Sequence, residues 1–488
     1  MKLGRNIFGV GVMTGISRIF GFIRDMLIAR FLGAGRLSDI FFAAFKLPNL
    51  FRDLLGEGAL SAIFIPMYTD MKKDEGFAKN VFSWLMAILL GLTVIFEIFM
   101  PLVIWGLAPG FAEDPGKMQL TVVIARIMFF YVIFICGAAF LAAVLNAHSR
   151  FLLAAFMPVM LNIMLIGALL ASMWYGNQYI LYVIAGTVVL SGIIQFWTLL
   201  SRIRQKHFGL RLILPHWNDQ IKSMFKRFCV SLVGSGFYQI TIIVGTLVAS
   251  WQSGAVSWLY YSDRIVQLPF AMIGLAVGTV LMSSISKALT DKNMRSVYIQ
   301  QNSSMRRSMM LIIPCMVGLF VLAEPIICFL FQHGAWTPES THAVALAIKI
   351  QCLVLPAMLI SQIYSKTLYA SQDVKTPVTT SMVSLGVATV IYLTLFWFIG
   401  YLAIPVGVVI SGYVKNFLLR RVCFKRGLVK TDRKTLWSIM SFMMISVALG
   451  AVLYMIPARN IWEMGALICG FAIMYLPIAY IVDRKLIK

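Results

Sequence analysis

The stretch GISRIFGFIRD, Gly15 to Asp25, decides the fold class because it carries three charges inside a long apolar run. The run extends from about residue 7 to residue 32, and an α-helix needs roughly 20 residues to cross a bilayer. Arg18, Arg24 and Asp25 would be costly against lipid, so they must face protein or water. At 100° per residue the polar side chains share one half of the helix, and Ile and Phe cover the other. The segment therefore predicts a membrane-spanning helix with one polar face.

The whole chain has the composition of an integral membrane protein. Of its 488 residues, 60% are hydrophobic and only 12% are charged, and the mean hydropathy is +0.86. Fourteen apolar runs, each about 18 to 30 residues long, centre near residues 20, 50, 93, 132, 162, 190, 238, 272, 318, 355, 388, 411, 445 and 472. Backbone amides in hydrocarbon must be paired within their own segment, which favours helices. We predict an all-α polytopic membrane protein with 14 transmembrane helices.

The net charge of +23 is distributed unevenly along the chain. When alternate loops are compared, 30 of the 42 basic residues lie on one side, and the opposite loops hold only Arg36, Lys117 and Arg459. The positive-inside rule then predicts that both termini are cytoplasmic and that the number of helices is even. The same asymmetry indicates attraction to anionic membrane lipids and argues against nucleic acid as a partner.

Cysteine and histidine usage argues against a metal centre. The seven cysteines are scattered, mostly within apolar segments, and none of the five histidines has a partner at metal-ligand spacing. The pattern predicts neither a disulfide framework nor a metal site. The chain also has no GxxxxGK[ST] loop for nucleotide phosphates.

An internal repeat divides the chain into two related lobes. A shift of 221 residues superposes LPNLFRDLLGEGALSAIFIPMYTD, from Leu47, on LPFAMIGLAVGTVLMSSISKALTD, from Leu268. A shift of 223 residues matches LNAHSRF, from Leu145, with LYASQDV, from Leu368. Six helices per lobe predict a pseudo-two-fold axis along the membrane normal and a substrate cavity lined by helices one, two, seven and eight. We assign the N-lobe to residues 1–215, the C-lobe to 216–430 and two additional helices to 431–488.

Intramembrane charge concentrates where the repeat predicts this cavity. On helix two the side chains of Asp39, Lys46, Asp53 and Glu57 lie within about 40° of one another. Arginine binds phosphate or carboxylate through two parallel hydrogen bonds, so the preferred ligand is an anion. The candidate substrate-binding residues are Arg18, Arg24, Arg52 and Arg264, and the supporting or gate residues are Asp25, Glu57, Gly21, Asp39, Lys46 and Asp53. For each arginine an alternative stays open, namely an internal ion pair: Arg24 with Asp25 or Asp53, Arg52 with Glu57, and Arg264 with Asp263.

Several motifs resemble those of one transporter family. They are SRIFGFIRD, SDIFFAAFKLPNLFRDLLGEGALSAIFIP, LNAHSRFLLAAFMPVMLNI, VSWLYYSDRIVQLP and LYASQDVKTP. In these residues the chain resembles the MurJ (MviN) lipid II flippases. That family belongs to the superfamily of multidrug, oligosaccharidyl-lipid and polysaccharide exporters.

The resemblance implies a flippase that carries the undecaprenyl-pyrophosphate-linked peptidoglycan precursor across the bacterial inner membrane by alternating access. It also implies that the four candidate arginines bind the headgroup, that Asp25 orients Arg24, that Glu57 is a gate residue, and that helices 13 and 14 form a groove for the lipid tail. The implied partners are lipid II, membrane lipids and the cell-wall synthesis machinery, for a protein acting as a monomer. No cofactor is implied.

One departure concerns energy coupling. Some members of the family have a sodium site on helices seven, eleven and twelve, but here the corresponding segments contain no carboxylate: GFYQITIIVGTLVAS, VTTSMVSLGVATVIYLTLF and PVGVVISGYVKNF. We therefore expect transport to be driven by the membrane potential.

Two other classes of function remain alternatives. The first is a drug or cation antiporter on the same architecture, whose cavity should be dominated by carboxylates where this one has arginines. The second is a membrane enzyme acting on polyprenyl phosphates, which would need paired carboxylates or histidines facing a membrane surface.

Overall fold

Helices account for every regular element in the part of the chain that the structure describes. The computed structural model describes residues 2–54, 59–175, 179–205, 209–456 and 460–487. It divides into two compact units, the first comprising Met1–Val256 with His333–Trp336 and the second Ser257–Gln332 with Thr337–Lys488. Each unit is described by itself below.

The described part of the first unit contains nine α-helices. They are α1 (Lys2–Leu32), α2 (Arg36–Phe51), α3 (Ala59–Asp70), α4 (Glu75–Leu107), α5 (Pro115–Phe129), α6 (Tyr131–Ala147), α7 (Leu152–Tyr175), α8 (Ile180–Gln205) and α9 (Asp219–Ala249). Aromatic side chains pack α3 against α6, with the ring centroids of Phe64 and Phe140 4.6 Å apart. The buried cluster around them extends to α4, α8 and α9.

The second unit contains the remaining helices. They are α10 (Ala255–Thr290), which begins at the unit boundary, α11 (Met294–Phe331), α12 (Pro338–Gln351), α13 (Leu355–Ala370), α14 (Lys375–Ile399), α15 (Ala403–Lys425), α16 (Arg433–Tyr454) and α17 (Ile461–Ile487). The structural boundary near residue 256 differs from the repeat boundary at 215, because α9 packs on α3 and α4. The division into lobes at 1–215, 216–430 and 431–488 stays a prediction.

Nine helical stretches among the described residues are long and apolar enough to cross a membrane. The all-α class is confirmed, and the chain is a multi-pass membrane protein. Each of the fourteen predicted centres lies in a helical segment, but the segments near residues 50, 132 and 355 are interrupted. The count of 14 transmembrane helices and the pseudo-two-fold axis stay predictions.

Matching local turns occur at matching positions of the repeat. Ser149 follows α6 with a φ of 60°, and Gln372 follows α13 with a φ of 64°. In both turns the next residue donates its N–H to the carbonyl five residues back, from Arg150 to Leu145 and from Asp373 to Leu368, each at 2.9 Å. This hydrogen bond is the mark of a Schellman helix end. Both halves therefore end this helix in the same way, although their sequences differ there.

A short segment, which we call a strap, follows the last helix of each half: residues 209–218 after α8 and residues 426–432 after α15. Hydrogen bonds attach each strap to a long helix. On α4, Asn80 donates to the carbonyl of His216 at 2.8 Å and accepts from its N–H at 3.0 Å. On α11, Asn302 donates to the carbonyl of Lys430 at 2.8 Å and accepts from the N–H of Asp432 at 3.3 Å. One amide side chain thus satisfies two backbone groups in each strap.

Two glycines allow the α1–α2 turn to contact the loop that precedes α12. Gly33 has a φ of 70° and Gly334 a φ of 67°, in the left-handed region that other residues avoid. The N–H of Ala335 donates to the carbonyl of Arg30 at 2.8 Å. A Cβ on Gly334 would lie 2.3 Å from that same carbonyl oxygen. Glycine is therefore required by both conformation and space.

We expect Gly334→Ala to lower the free energy of unfolding by more than about 1 kcal/mol, because the left-handed conformation and the Arg30 carbonyl both disfavour a methyl group. Gly318→Ala is the matched control, since Gly318 lies inside α11 with no neighbouring atom within 4 Å. The control should raise stability by up to about 1 kcal/mol. Thermal unfolding of the purified proteins measures both, and equal midpoints would contradict the close approach.

Candidate functional site

The C-terminal half of the polar face on α1 is anchored to α7 by one asparagine. Arg24 donates from Nη2 and Nε to Asp25 Oδ1, at 2.6 Å and 3.0 Å, and from Nη1 to Asn162 Oδ1 at 2.9 Å. Asn162 in turn donates to the carbonyl of Ser17 at 3.1 Å. Arg24 and Asp25 are 6% and 2% exposed, so their charges are compensated inside the protein. The Asp25 carboxylate is placed to orient Arg24.

Gly21 faces the same asparagine of α7. A Cβ at this position would lie 3.4 Å from the Asn162 amide nitrogen, which is close to an ordinary van der Waals contact. Arg18 differs from Arg24, because Arg18 is exposed whereas Arg24 is buried. The helix therefore carries one fixed arginine and one accessible arginine, six residues apart.

Three charged residues, two in α2 and one in the turn that ends it, lie on one face and contact the C-terminal part of α9 and the turn after it. Asp39 accepts the N–H of Gly254, just beyond the end of α9, at 2.8 Å. Lys46 donates to the Thr246 hydroxyl and to the carbonyl of Ile242. Asp53 accepts from the Gln239 side chain at 3.3 Å. We call this set, Asp39, Lys46 and Asp53 with their α9 partners, the α2–α9 ladder.

The ladder has a simple geometric origin. Its charged members are seven residues apart, which is close to two helical turns, so they stay on one side of α2. Their partners run in the opposite order along α9, so the two helices are antiparallel. The predicted alignment of Asp39, Lys46 and Asp53 is confirmed, and their hydrogen bonds show that the aligned face meets a helix.

Asp39 also forms a buried ion pair that the sequence did not predict. Lys117 Nζ lies 2.8 Å from Asp39 Oδ2, and the two side chains are 6% and 0% exposed. The Lys117 ammonium also lies 3.9 Å from the centre of the Phe111 ring. Lys117 is one of only three basic residues in the predicted outer loops. Because basic residues are so rare there, its presence was the one indication in the sequence that it has a structural partner.

A second outer-loop cation, Arg36, is paired at the surface. Its guanidinium contacts both oxygens of Asp114, at 2.8 Å and 3.1 Å. Asp114 also caps α5 by accepting the backbone N–H of Lys117. The Arg36 hydrogen bond, with that N–H, holds the pKa of the Asp114 carboxyl below its usual range. Two of the three cations in the predicted outer loops are thus paired with aspartates.

Arg52 and Asp53 lie where α2 ends in a π-helical turn over residues 52–54. Arg52 Nη2 is 3.1 Å from Asp53 Oδ1, and both side chains are partly exposed. Such wide turns are frequent at functional sites because they shift side chains out of helical register. Glu57, the predicted gate residue and proposed partner of Arg52, lies outside the described residues.

In the second unit, Arg264 is exposed on α10. Its Nε and Nη2 both approach the Tyr260 hydroxyl, at 3.2 Å and 3.1 Å, and its guanidinium carbon is 5.2 Å from the Tyr260 ring centre. Asp263 accepts a hydrogen bond from the side chain of Gln351 on α12. The tyrosine therefore orients an arginine whose charge remains accessible.

Together the described groups favour anion binding over catalysis. A guanidinium offers paired donors that fit a phosphate or carboxylate. Among the residues whose placement is described, no three His, Cys, Asp or Glu side chains are arranged to hold a metal ion. The two buried cations, Arg24 and Lys117, join α1 to α7 and α2 to α5. Arg18 and Arg264 are exposed.

Comparison with known proteins identifies the same class of transporter. The family model described as "Lipid II flippase MurJ" matches residues 28–473. A probable lipid II flippase MurJ from Rhizobium meliloti (strain 1021) is 34% identical over 464 residues, which are 93% of this chain and 86% of the relative.

Two solved structures share the fold. The first is described as lipid II flippase MurJ in an inward closed conformation, with a TM-score of 0.85, 24% identity and coverage of 98% of this chain and 99% of that chain. The second, an inward-facing multidrug resistance MATE family transporter, has a TM-score of 0.70, 14% identity and coverage of 84% and 94%. The likeness to the second shows a shared fold.

Replacing Lys117 by methionine should lower the free energy of unfolding by about 3 kcal/mol, because it leaves the Asp39 carboxylate buried without its cation. Adding Asp39→Asn should recover most of that loss. Lys79→Met is the control, since Lys79 forms an exposed i,i+4 pair with Glu75 and should cost less than about 1 kcal/mol. Thermal unfolding of the purified variants decides, and equal losses for Lys117→Met and Lys79→Met would show that the buried pair is not stabilising.

Proposed function

The chain belongs to the MurJ family of lipid II flippases, and on that premise we propose that it moves lipid II from the cytoplasmic to the periplasmic face of the inner membrane by alternating access. It is a transporter and not an enzyme. Lipid II combines a diphosphate and peptide carboxylates with a long prenyl chain, so an anion site inside a membrane protein suits it. The observation that supports this proposal most directly is the pair of exposed arginines, Arg18 and Arg264, one from each half of the repeat.

We assign different roles to the four arginines. Arg18 and Arg264 are accessible, so they contact the diphosphate or attract the headgroup. Arg24 is held by Asp25 and Asn162, so we assign it the role of fixing the polar face of α1 against α7. Arg52, in the π-helical turn, is positioned to change partners when α2 moves. The Asp39–Lys117 pair and the remainder of the ladder act in support by fixing α2 against α5 and α9.

Closure at the outer end is the second part of the proposal. The Gly33 turn contacts Ala335, and a Cβ on Gly110, in the loop before α5, would lie 2.4 Å from the backbone nitrogen of Trp251. In each contact a loop of one half meets the turn after the first helix of the other half. Such backbone-to-backbone contacts can separate as a unit, as alternating access requires.

Topology, the lipid tail, partners and energy coupling complete the proposal. Both termini are cytoplasmic, α16 and α17 form a groove for the prenyl tail, and the protein acts as a monomer beside the cell-wall synthesis machinery. Membrane lipids surround it, and nucleic acid is not a partner. Transport uses the membrane potential without a cofactor.

Arg18→Ala and Arg264→Ala should each reduce lipid II translocation at least tenfold while leaving insertion unchanged, because each removes a charge-assisted contact with the diphosphate. Both residues are exposed in the structure. Arg126→Ala is the matched control, since Arg126 is an exposed arginine on α5 outside the proposed site. Accessibility of lipid II at each membrane face, in cells depleted of the wild-type protein, measures the rate. Wild-type translocation by either variant would refute the site.

Collapsing the membrane potential at constant sodium should stop translocation, whereas replacing sodium by choline at constant potential should leave it unchanged. One charge crossing the membrane gains about 2.3 kcal/mol per 100 mV, which is enough to bias the return of a cationic site. Reconstituted vesicles with imposed potassium gradients provide the measurement. Loss of transport on sodium removal alone would instead require an ion site.

The same vesicles separate the alternatives. Saturable efflux of cationic dyes without any response to lipid II would support a drug or cation antiporter. Release of inorganic phosphate from a polyprenyl diphosphate would support a membrane enzyme.

A further inference from the structure

A groove on the first unit lies outside the set of residues assigned to headgroup binding. It has a volume of about 710 Å³ and is formed by one residue of α1, the first turns of α7 and the last turns of α8. The lining residues are Met13, Leu152, Leu153, Phe156, Thr198, Ser201, Arg202 and Gln205. Its volume is in the range of sites that hold small organic ligands.

The two walls of the groove differ in chemistry. The wall from α1 and α7 is apolar, with Leu152 48% exposed even though leucine usually packs inside. The wall from α8 is polar, because positions 198, 201, 202 and 205 recur at the i, i+3, i+4, i+7 spacing of one helix face. A ligand with an apolar body and a polar end matches this division.

The polar wall favours an anionic end. Arg202 Nη1 donates to Gln205 Oε1 at 3.1 Å, which fixes the guanidinium along the wall while its other nitrogens remain available. Arg202 begins the run of seven basic residues that ends at Arg227. The N-terminal turn of α7 also contributes Leu152 and Leu153, and the N-terminal end of a helix dipole attracts negative charge. The field around this end of the groove is therefore positive.

We propose that this groove binds one anionic glycerophospholipid, with an acyl chain along Leu152, Leu153 and Phe156 and the phosphate at Arg202. A soluble anion would use the arginine but leave the apolar wall exposed. A zwitterionic lipid would fill the apolar wall, but its cationic headgroup would face the arginine. An anionic lipid satisfies both walls. Because Met13 is on α1, the bound lipid contacts the helix that carries Arg18 and Arg24.

The test uses the full-length protein, delipidated in detergent and returned to nanodiscs of phosphatidylcholine with a small fraction of phosphatidylglycerol. Native mass spectrometry counts the phosphatidylglycerol molecules retained per protein as detergent is added back. Arg202→Gln removes the charge, and Thr198→Trp fills the groove while keeping it. Arg204→Gln is the matched control, because Arg204 lies in the same last turn of α8 and is exposed but does not line the groove.

We expect the wild-type protein and Arg204→Gln to retain one phosphatidylglycerol in preference to phosphatidylcholine. Arg202→Gln and Thr198→Trp should weaken retention about tenfold or more, and millimolar inorganic phosphate should not displace the lipid. Equal retention of both lipids, equal losses in Arg202→Gln and Arg204→Gln, or unchanged retention in Thr198→Trp would overturn the proposal. Displacement by inorganic phosphate would overturn it too, because it would identify a site for a free anion. Lipid II is absent from the assay, so the outcome is independent of the transport proposal.

Discussion

The cost of a charge inside a membrane governs the structure of this protein. An unpaired charge near the bilayer centre costs about 2.5 to 3.5 kcal/mol on insertion scales, so each buried charge must be compensated. Arg24 meets that requirement with Asp25 and Asn162, and Asp39 meets it with Lys117 and the N–H of Gly254. Both solutions join different helices. The need to neutralise charge therefore also sets the positions of α1 against α7 and of α2 against α5 and α9.

Helical periodicity could predict the aligned charges, because their alignment depends only on residues within one helix. Asp39, Lys46 and Asp53 are separated by whole heptads, so their common face follows from the geometry of one helix. Their partners do not, because Thr246 and Gln239 are almost 200 residues away and carry no charge that would mark them. Asn162 is a similar case. A neutral amide in an apolar run gives no sign in the sequence that it holds an arginine in place.

The pairing of Asp25 with Arg24 could be predicted from the family resemblance and from the sequence, because a carboxylate next to an arginine in a helix can reach its side chain. The partner of Lys117 could not be predicted, because the sequence places this lysine in an outer loop and Asp39 in a spanning helix. The sequence could indicate that positive residues are rare on that side, but only the folded chain shows that Asp39 is its partner. The repeat was visible in the sequence, whereas the shared Schellman turns after α6 and α13 required backbone angles.

The two straps connect successive parts of the chain in the same way. The first strap, held by Asn80, leads directly into α9, whose first turn is capped by Asn218. The second, held by Asn302, leads directly into α16, capped by Asp432. Helix α16 thus starts from α11 as α9 starts from α4, with the same kind of joint. The two C-terminal helices are therefore attached to the second half by the same kind of joint that connects the first half to the second.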